Sequence, residues 1–82
     1  MREKIILALR GFLKEGHPEK VSDIAPEASL FESGILDSLG VVSMVTFLEE
    51  QFNCQLDFED LTEENLTSLN AVTDLVLKKL AK

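Results

Sequence analysis

The sequence predicts an all-α fold, a four-helix bundle of three longer helices and one short helix with a long first loop. Three observations predict it. Apolar residues recur at helical spacing in three separate stretches, and no stretch shows the period of two that a half-buried strand requires. The first two helical stretches are joined by about twenty residues rich in Pro, Gly and Ser, an unusual length for a connection inside a compact domain. At 82 residues the chain is expected to form a single domain, residues 1–82, near the small end of the range for one core.

The first helix is expected over residues 3–15. Ile5, Leu9 and Phe12 recur at i, i+4 and i+7, and Ile6 and Leu13 widen the stripe. Gly16 is placed to end the helix at C′, with Pro18 just beyond. The connection over 16–37 holds two prolines, two glycines, Ser22, Asp23, Ser29 and Ser33. Leu30, Phe31, Ile35 and Leu36 could anchor it to the helices, with one short helical turn near 28–32. Asp37 is a good N-cap for a second helix over 38–52. Val41, Val45, Leu48 and Phe52 form its stripe, and Val42 and Met44 widen it. Apolar residues nearly surround its first half, Leu39 and Phe47 among them. Such a helix is either central in the core or presents apolar surface to a partner. Residues 57–65 suggest one or two acidic helical turns with Phe58 and Leu61 pointing inward. Ser68 should cap a last helix over 69–81. Its stripe is Leu69, Val72, Val76 and Leu80, and Lys78 and Lys79 suit its C-terminal dipole.

Composition narrows the function. The formal net charge is −7. Lys and Arg occur only at Arg2, Lys4, Arg10, Lys14 and Lys20 and then at Lys78, Lys79 and Lys82, while twelve acidic residues lie between Val21 and Leu77. That distribution repels nucleic acid and anionic membranes and attracts basic protein surfaces. It would equally serve to keep a small domain in solution. Self-repulsion predicts that the melting temperature rises with added salt or magnesium. The one cysteine, Cys54, excludes an internal disulfide and fits a reducing compartment. With His17 the only histidine, a Cys/His zinc site is out of reach. The first residues, Met-Arg-Glu-Lys-Ile-Ile-Leu, lack the extended apolar core of a secretory signal. No apolar run approaches the roughly 20 residues of a membrane span, so a cytoplasmic protein is expected. An enzyme is not expected, for want of a plausible Ser-His-Asp set, a metal-ligand cluster or a Gly-rich phosphate loop. His17 reads as an exposed loop residue and Cys54 as a partly buried spacer. The acids of 57–64 lack the order of an EF-hand loop, which favours a solvated helix face over a metal site.

The segment that carries chemistry is Leu30-Phe31-Glu32-Ser33-Gly34-Ile35-Leu36-Asp37-Ser38-Leu39-Gly40. Ser38 falls in the first turn of the second helix, where unpaired N–H groups and the helix dipole favour an anion. A phosphodiester on its hydroxyl would sit in that field. In isolation, Asp-Ser-Leu reads as an ordinary helix start. The same residues also fit an unmodified acidic helical adaptor docking on a basic surface.

Over nearly its full length the chain resembles the phosphopantetheine-dependent acyl carrier proteins. The likeness rests on Asp37-Ser38-Leu39, the Leu30/Phe31 pair upstream, Phe52 at the end of the second helix and Leu66-Thr67-Ser68-Leu69 before the last one. The resemblance implies an acyl-carrier-like fold and a 4′-phosphopantetheine arm, derived from coenzyme A and attached to Ser38 by a phosphopantetheinyl transferase. It implies that Asp37 helps the transferase through its magnesium, and that acyl or aminoacyl cargo rides on the arm as a thioester. The carrier itself, a monomer, catalyses nothing. Leu39, Val42, Thr46 and Glu49 occupy positions where the family's second helix meets partner enzymes. Those partners are an acyl- or aminoacyl-activating ligase and downstream acyl-using enzymes of fatty-acid or secondary-metabolite biosynthesis. One departure is informative. Gly40, Val41, Val42 and Ser43 stand where carriers of bacterial fatty-acid synthesis are typically acidic, and Gly34-Ile35-Leu36-Asp37-Ser38 looks more like D-alanyl and peptidyl carriers. A specialised pathway is therefore expected, with a partner that reads an apolar surface.

Overall fold

A computed structural model of the protein describes residues 2–22 and 24–80. The expectations for Asp23, residue 81 and Lys82 fall outside them. The helices are α1 (Arg2–Gly16), α2 (Pro18–Ser22), α3 (Ser38–Phe52), α4 (Glu63–Leu66) and α5 (Leu69–Leu80), with a 3₁₀ turn at Phe58–Asp60. Among the described residues there is no strand. Among the described residues no helix is long and apolar enough to cross a membrane.

The three longer predicted helices are α1, α3 and α5, and the differences lie between them. Gly16 does not end α1 in a left-handed cap. The His17 N–H donates to the Leu13 carbonyl at 3.0 Å, continuing the ladder, and Pro18, which has no N–H to place, begins α2. The long connection therefore starts as a helix. The Arg10 guanidinium donates to the Val21 carbonyl at 3.3 Å and fastens α2 to α1. The short acidic helix expected over 57–65 is two pieces. Thr62 is extended between them and caps α4, its Oγ1 accepting the Asn65 N–H at 3.2 Å.

The core joins Ile5, Leu9 and Leu13 of α1, Met44 and Leu48 of α3, and Leu69, Val72, Leu75 and Val76 of α5. Phe12 is only half-buried and stacks on Phe47, their ring centroids 4.6 Å apart. On α3 the fully buried line is Met44 and Leu48, while Val41, Val45 and Phe52 are half-buried. So many apolar residues surround this helix that spacing alone could not choose its inward face. Ser68 caps α5 as expected, its Oγ accepting the Ala71 N–H at 3.1 Å. Arg2 pairs with Asp74 and donates to Asn70 Oδ1 at 3.1 Å, tying α1 to α5.

The connection from α2 to α3 is anchored at both backbone and side-chain level. Leu30, Ile35 and Leu36 are buried, and Phe31 packs half-buried against them. The Leu30 N–H donates to the Thr67 carbonyl at 2.6 Å, and the Asn70 N–H donates to the Pro26 carbonyl at 3.0 Å. The connection is thus stitched to the α4–α5 junction. The Leu30 carbonyl accepts from the Ile35 N–H at 3.1 Å, the Leu36 N–H at 3.0 Å and the Ser33 hydroxyl at 3.1 Å. That tight winding passes through Gly34 at φ 82°, a region glycine enters without a Cβ penalty. The turn expected near 28–32 is a series of hydrogen-bonded turns, including Ala28 N–H to Ala25 O and Ser33 N–H to Ser29 O.

Candidate functional site

The stitched connection delivers the chain to the start of α3 in a fixed direction. Buried Ile35 and Leu36 lead into Asp37, which is extended at φ −135° and ψ −173°. The Asp37 carboxylate accepts the Gly40 N–H at 2.7 Å, and the Asp37 carbonyl accepts the Val41 N–H at 2.8 Å. This is an N-cap, satisfying one of the helix's orphan donors. A Cβ at position 40 would lie 3.2 Å from Asp37 Oδ1 and 3.4 Å from Leu36 Cδ1, so glycine leaves the cap carboxylate its close approach.

Ser38 is the first residue of α3, and its side chain is exposed. No acidic residue occupies the first turn of the helix. An anion on the Ser38 oxygen would meet the positive end of the helix dipole and the free first-turn N–H groups. The neighbouring Asp37 carboxylate opposes it, but that charge is already shared with the Gly40 N–H. A phosphodiester on Ser38 is therefore compatible with the residues around it.

Leu39, Val42, Thr46 and Glu49 follow one another at i, i+3, i+7 and i+10 and share one face of α3. Leu39 is 81% exposed and Val42 64% exposed, two large apolar side chains left in solvent one turn apart. Thr46 is exposed, and its hydroxyl donates to the Val42 carbonyl at 3.0 Å. Glu49 is half-buried, and its carboxylate accepts the Leu56 N–H at 2.9 Å, bracing the chain after α3. The helix ends at Asn53, left-handed at φ 51°.

Phe58 does not point inward as expected; it is 89% exposed. The reason is the turn that carries it. The Asp57 N–H donates to the Asp60 carboxylate at 2.9 Å, and the Asp60 N–H donates to the Asp57 carbonyl at 2.9 Å. Lys79 of α5 then grips Asp60 at 2.6 Å and Asp57 at 3.4 Å. These bonds face the acids at both ends of the turn toward α5, and the phenyl ring is left outside. The Lys79 hydrogen bond, with help from the Asp57 backbone, holds the Asp60 carboxyl below the usual carboxylate range. The Asp60 hydrogen bond holds the Lys79 ammonium above the usual lysine range, against an opposing effect of burial. The Asp-x-x-Asp spacing of Asp57 and Asp60 was the available signal for this turn.

Cys54 and His17 are the other residues singled out in the sequence. Cys54 is partly buried, with its thiol 3.7 Å from the Leu48 carbonyl. Burial, reinforced by the Glu49 charge, pushes that thiol upward in pKa. His17 is half-buried rather than exposed, because α2 begins directly behind it. It lines a cleft of about 420 Å³ with Phe12, Leu13, Ile35, Gly40 and Ser43, between the end of α1 and the start of α3. Among the described residues no group of three or more His, Cys, Asp and Glu is arranged to hold a metal ion.

The chain matches the family described as "Phosphopantetheine attachment site" over residues 3–76. It is 36% identical over 56 residues to the D-alanyl carrier protein of Streptococcus uberis, covering 68% of this chain and 70% of that one. It is 26% identical over 80 residues to aminoacyl carrier protein 1 of Bradyrhizobium diazoefficiens, covering 98% of this chain and 86% of that one. In structure it is similar to the acyl carrier protein of Thermotoga maritima, with a TM-score of 0.78 at 25% identity over 98% of this chain and 91% of that one. Those relationships account for an all-helical fold whose second long helix opens on an exposed serine, and the chain belongs to the family of phosphopantetheine-dependent carrier proteins.

Proposed function

We propose that Ser38 carries the 4′-phosphopantetheine arm and that its cargo is a small aminoacyl group, D-alanyl being the first candidate. The observation that carries the site is the placement of Ser38: exposed, first in α3, behind a capped aspartate and in a field that favours a phosphodiester. The cargo rests on the D-alanyl and aminoacyl carriers the chain is similar to. It also rests on the first turn of α3, which is free of acids.

In this reading the Ser38 oxygen attacks the phosphorus of coenzyme A that bears the pantetheine, the pyrophosphate P–O bond breaks, the serine proton is released, and adenosine 3′,5′-bisphosphate departs as the leaving group. Asp37 holds the helix start in place while the transferase and its magnesium work on the neighbouring hydroxyl. The bound arm supplies a thiol on a flexible tether, to which cargo is joined as a thioester. Leu39 and Val42 offer partners an apolar contact, with Thr46 and Glu49 continuing that face. The chain has no activity of its own. It works as a single carrier unit and a monomer, in the cytoplasm, where coenzyme A and ATP are at hand.

The test is an intact mass after incubation with coenzyme A, magnesium and a promiscuous phosphopantetheinyl transferase. One phosphopantetheine adduct should appear and be absent from Ser38→Ala. An unmodified wild type would return the chain to the adaptor reading, and an adduct on Ser38→Ala would move the site. The modified protein is then offered D-alanine, ATP and a D-alanine-activating ligase, and a second mass increment reports loading.

A further inference from the structure

We infer that Glu49 is a latch: its carboxylate holds the chain after α3 closed, and a cation brought onto the exposed face of α3 by a partner draws the carboxylate away and lets that chain open. The closed half of this inference stands on the fold. The opening half rests on the carrier reading above.

The closed state is held by few bonds. Asn53 takes the chain off α3 in the left-handed region. Among the described residues, no main-chain hydrogen bond outside the helices involves residues 54–56. Side chains tie them instead. The Leu56 N–H donates to the Glu49 carboxylate at 2.9 Å, and the Cys54 thiol lies 3.7 Å from the Leu48 carbonyl. The Leu56 side chain is buried. Of the two polar ties, the bond to a charged carboxylate is by far the stronger, and a part-buried N–H that loses it is left unsatisfied. The Glu49 bond therefore decides where this chain sits.

The opening follows from where Glu49 lies. It shares the face of Leu39 and Val42, which are left in solvent. It is itself only half-buried, and its bond to Leu56 uses one carboxylate oxygen. Among the described residues no Lys or Arg pairs with it. None occurs between residues 21 and 77, so a cation that meets Glu49 on this face comes from another protein. An ammonium or guanidinium there competes with a single neutral N–H, and the charged pair is the stronger bond. Leu56 then loses its acceptor, and the chain after Asn53 loosens locally.

The latch makes docking reversible. Part of each cationic contact is used to break the Leu56 bond, and re-forming that bond favours departure. A binding state that must first open has its apparent affinity lowered by the fraction that is open. Such weakening suits a carrier that leaves one enzyme for the next.

The experiment uses the full chain, unmodified and isotope-labelled, and follows amide hydrogen exchange at Leu56 and at Leu9, which is fully buried in the core. Glu49→Ala should speed exchange at Leu56 about tenfold, the effect of losing one charge-assisted bond. Glu49→Gln keeps an acceptor and should recover most of the protection. Exchange at Leu56 should be insensitive to low urea, because a local opening exposes little surface, whereas exchange at Leu9 should rise with urea. A saturating phosphopantetheinyl transferase, with coenzyme A withheld, should slow exchange at Leu9 by binding the folded chain. The same addition should speed exchange at Leu56 in wild type and leave it unchanged in Glu49→Ala. Wild-type exchange at Leu56 in Glu49→Ala would overturn the inference, as would a rise with urea in step with Leu9. Slower or unchanged exchange at Leu56 under a transferase that does place the mass adduct on Ser38 would also overturn it, and would leave the carrier reading standing. An absent adduct would overturn the carrier reading and the inference together.

Discussion

Replacing Leu30 with alanine tests whether the connection before Ser38 is a structural part of the fold. The Leu30 side chain is completely buried. Its main chain makes the bond to Thr67 and accepts the three bonds that wind the chain toward α3. Truncating a buried leucine to alanine removes about 2–5 kcal/mol, the transfer free energy plus a cavity. A chain of this length has a total stability of about 4–12 kcal/mol on a per-residue basis. A loss of about 3 kcal/mol should lower the melting temperature by roughly 12–24 °C. Urea and thermal melts of the unmodified protein would measure it, with Leu39→Ala as the control. Leu39 is 81% exposed, so that change should stay within about 0.5 kcal/mol. In the cold, where Leu30→Ala is folded, the transferase should still modify Ser38, because the backbone bonds remain. On warming, modification should fail together with the fold. A Leu30→Ala loss below about 1 kcal/mol would refute the reasoning, since it would mean that the connection can part from the core without consequence.

Three further outcomes follow from other sites. Lys79→Met should lower the melting temperature at neutral pH and flatten its fall in acid. The folded Asp60 carboxyl titrates below its unfolded value, so its contribution is present above the ordinary carboxylate range and is lost as pH falls through the folded value. Lys79, raised in the fold, contributes below the ordinary lysine value and loses that contribution as pH rises through the folded one; melts across both ranges in wild type and variant check this. Asp37→Ala should cost about 1 kcal/mol in urea melts through loss of the 2.7 Å cap to Gly40, whereas Asp37→Asn, which can still accept that bond, should stay near wild type in stability and slow the transferase. Cys54, partly buried and raised in pKa, should react with iodoacetamide at neutral pH far more slowly than the thiol of the arm, and peptide mapping of the modified protein would show label at Cys54 first if this is wrong.

The features legible in the sequence are those fixed locally. Asp37 before an apolar run announced a cap, and Ser68 announced another, because both act within three residues of themselves. Most of the buried stripes of α1 and α5 followed from spacing, with Phe12 and Leu80 half-buried instead and Leu75 buried as well. Burial on α3 did not, since Val41, Val45 and Met44 all fit an inward face and only neighbouring elements decide among them. The inward placement expected of Phe58 failed for a related reason. Its direction is set by Asp57 and Asp60 bonding each other and by Lys79, a residue far along the chain. α1 ends within one residue of its expected end, but without the left-handed cap that glycine suggests, because the His17 N–H continues the ladder and Pro18 opens α2. The position of Ser38 was legible because a helix start is a local event. Its fixed approach was not, because the bonds holding it join Pro26 and Leu30 to Asn70 and Thr67.

Those last two bonds also impose an order in time. During synthesis the chain emerges from its N-terminus, so the Ser38 segment leaves the ribosome well before Thr67 and Asn70 do. Until those later residues arrive, the connection has no backbone partners on the last helix, and Leu30 has only part of its core. A transferase that recognises the finished helix start would therefore act after the polypeptide has folded onto α5. If the arm is installed on Ser38 as proposed, the stitch between an early loop and a late helix would make arm attachment follow folding.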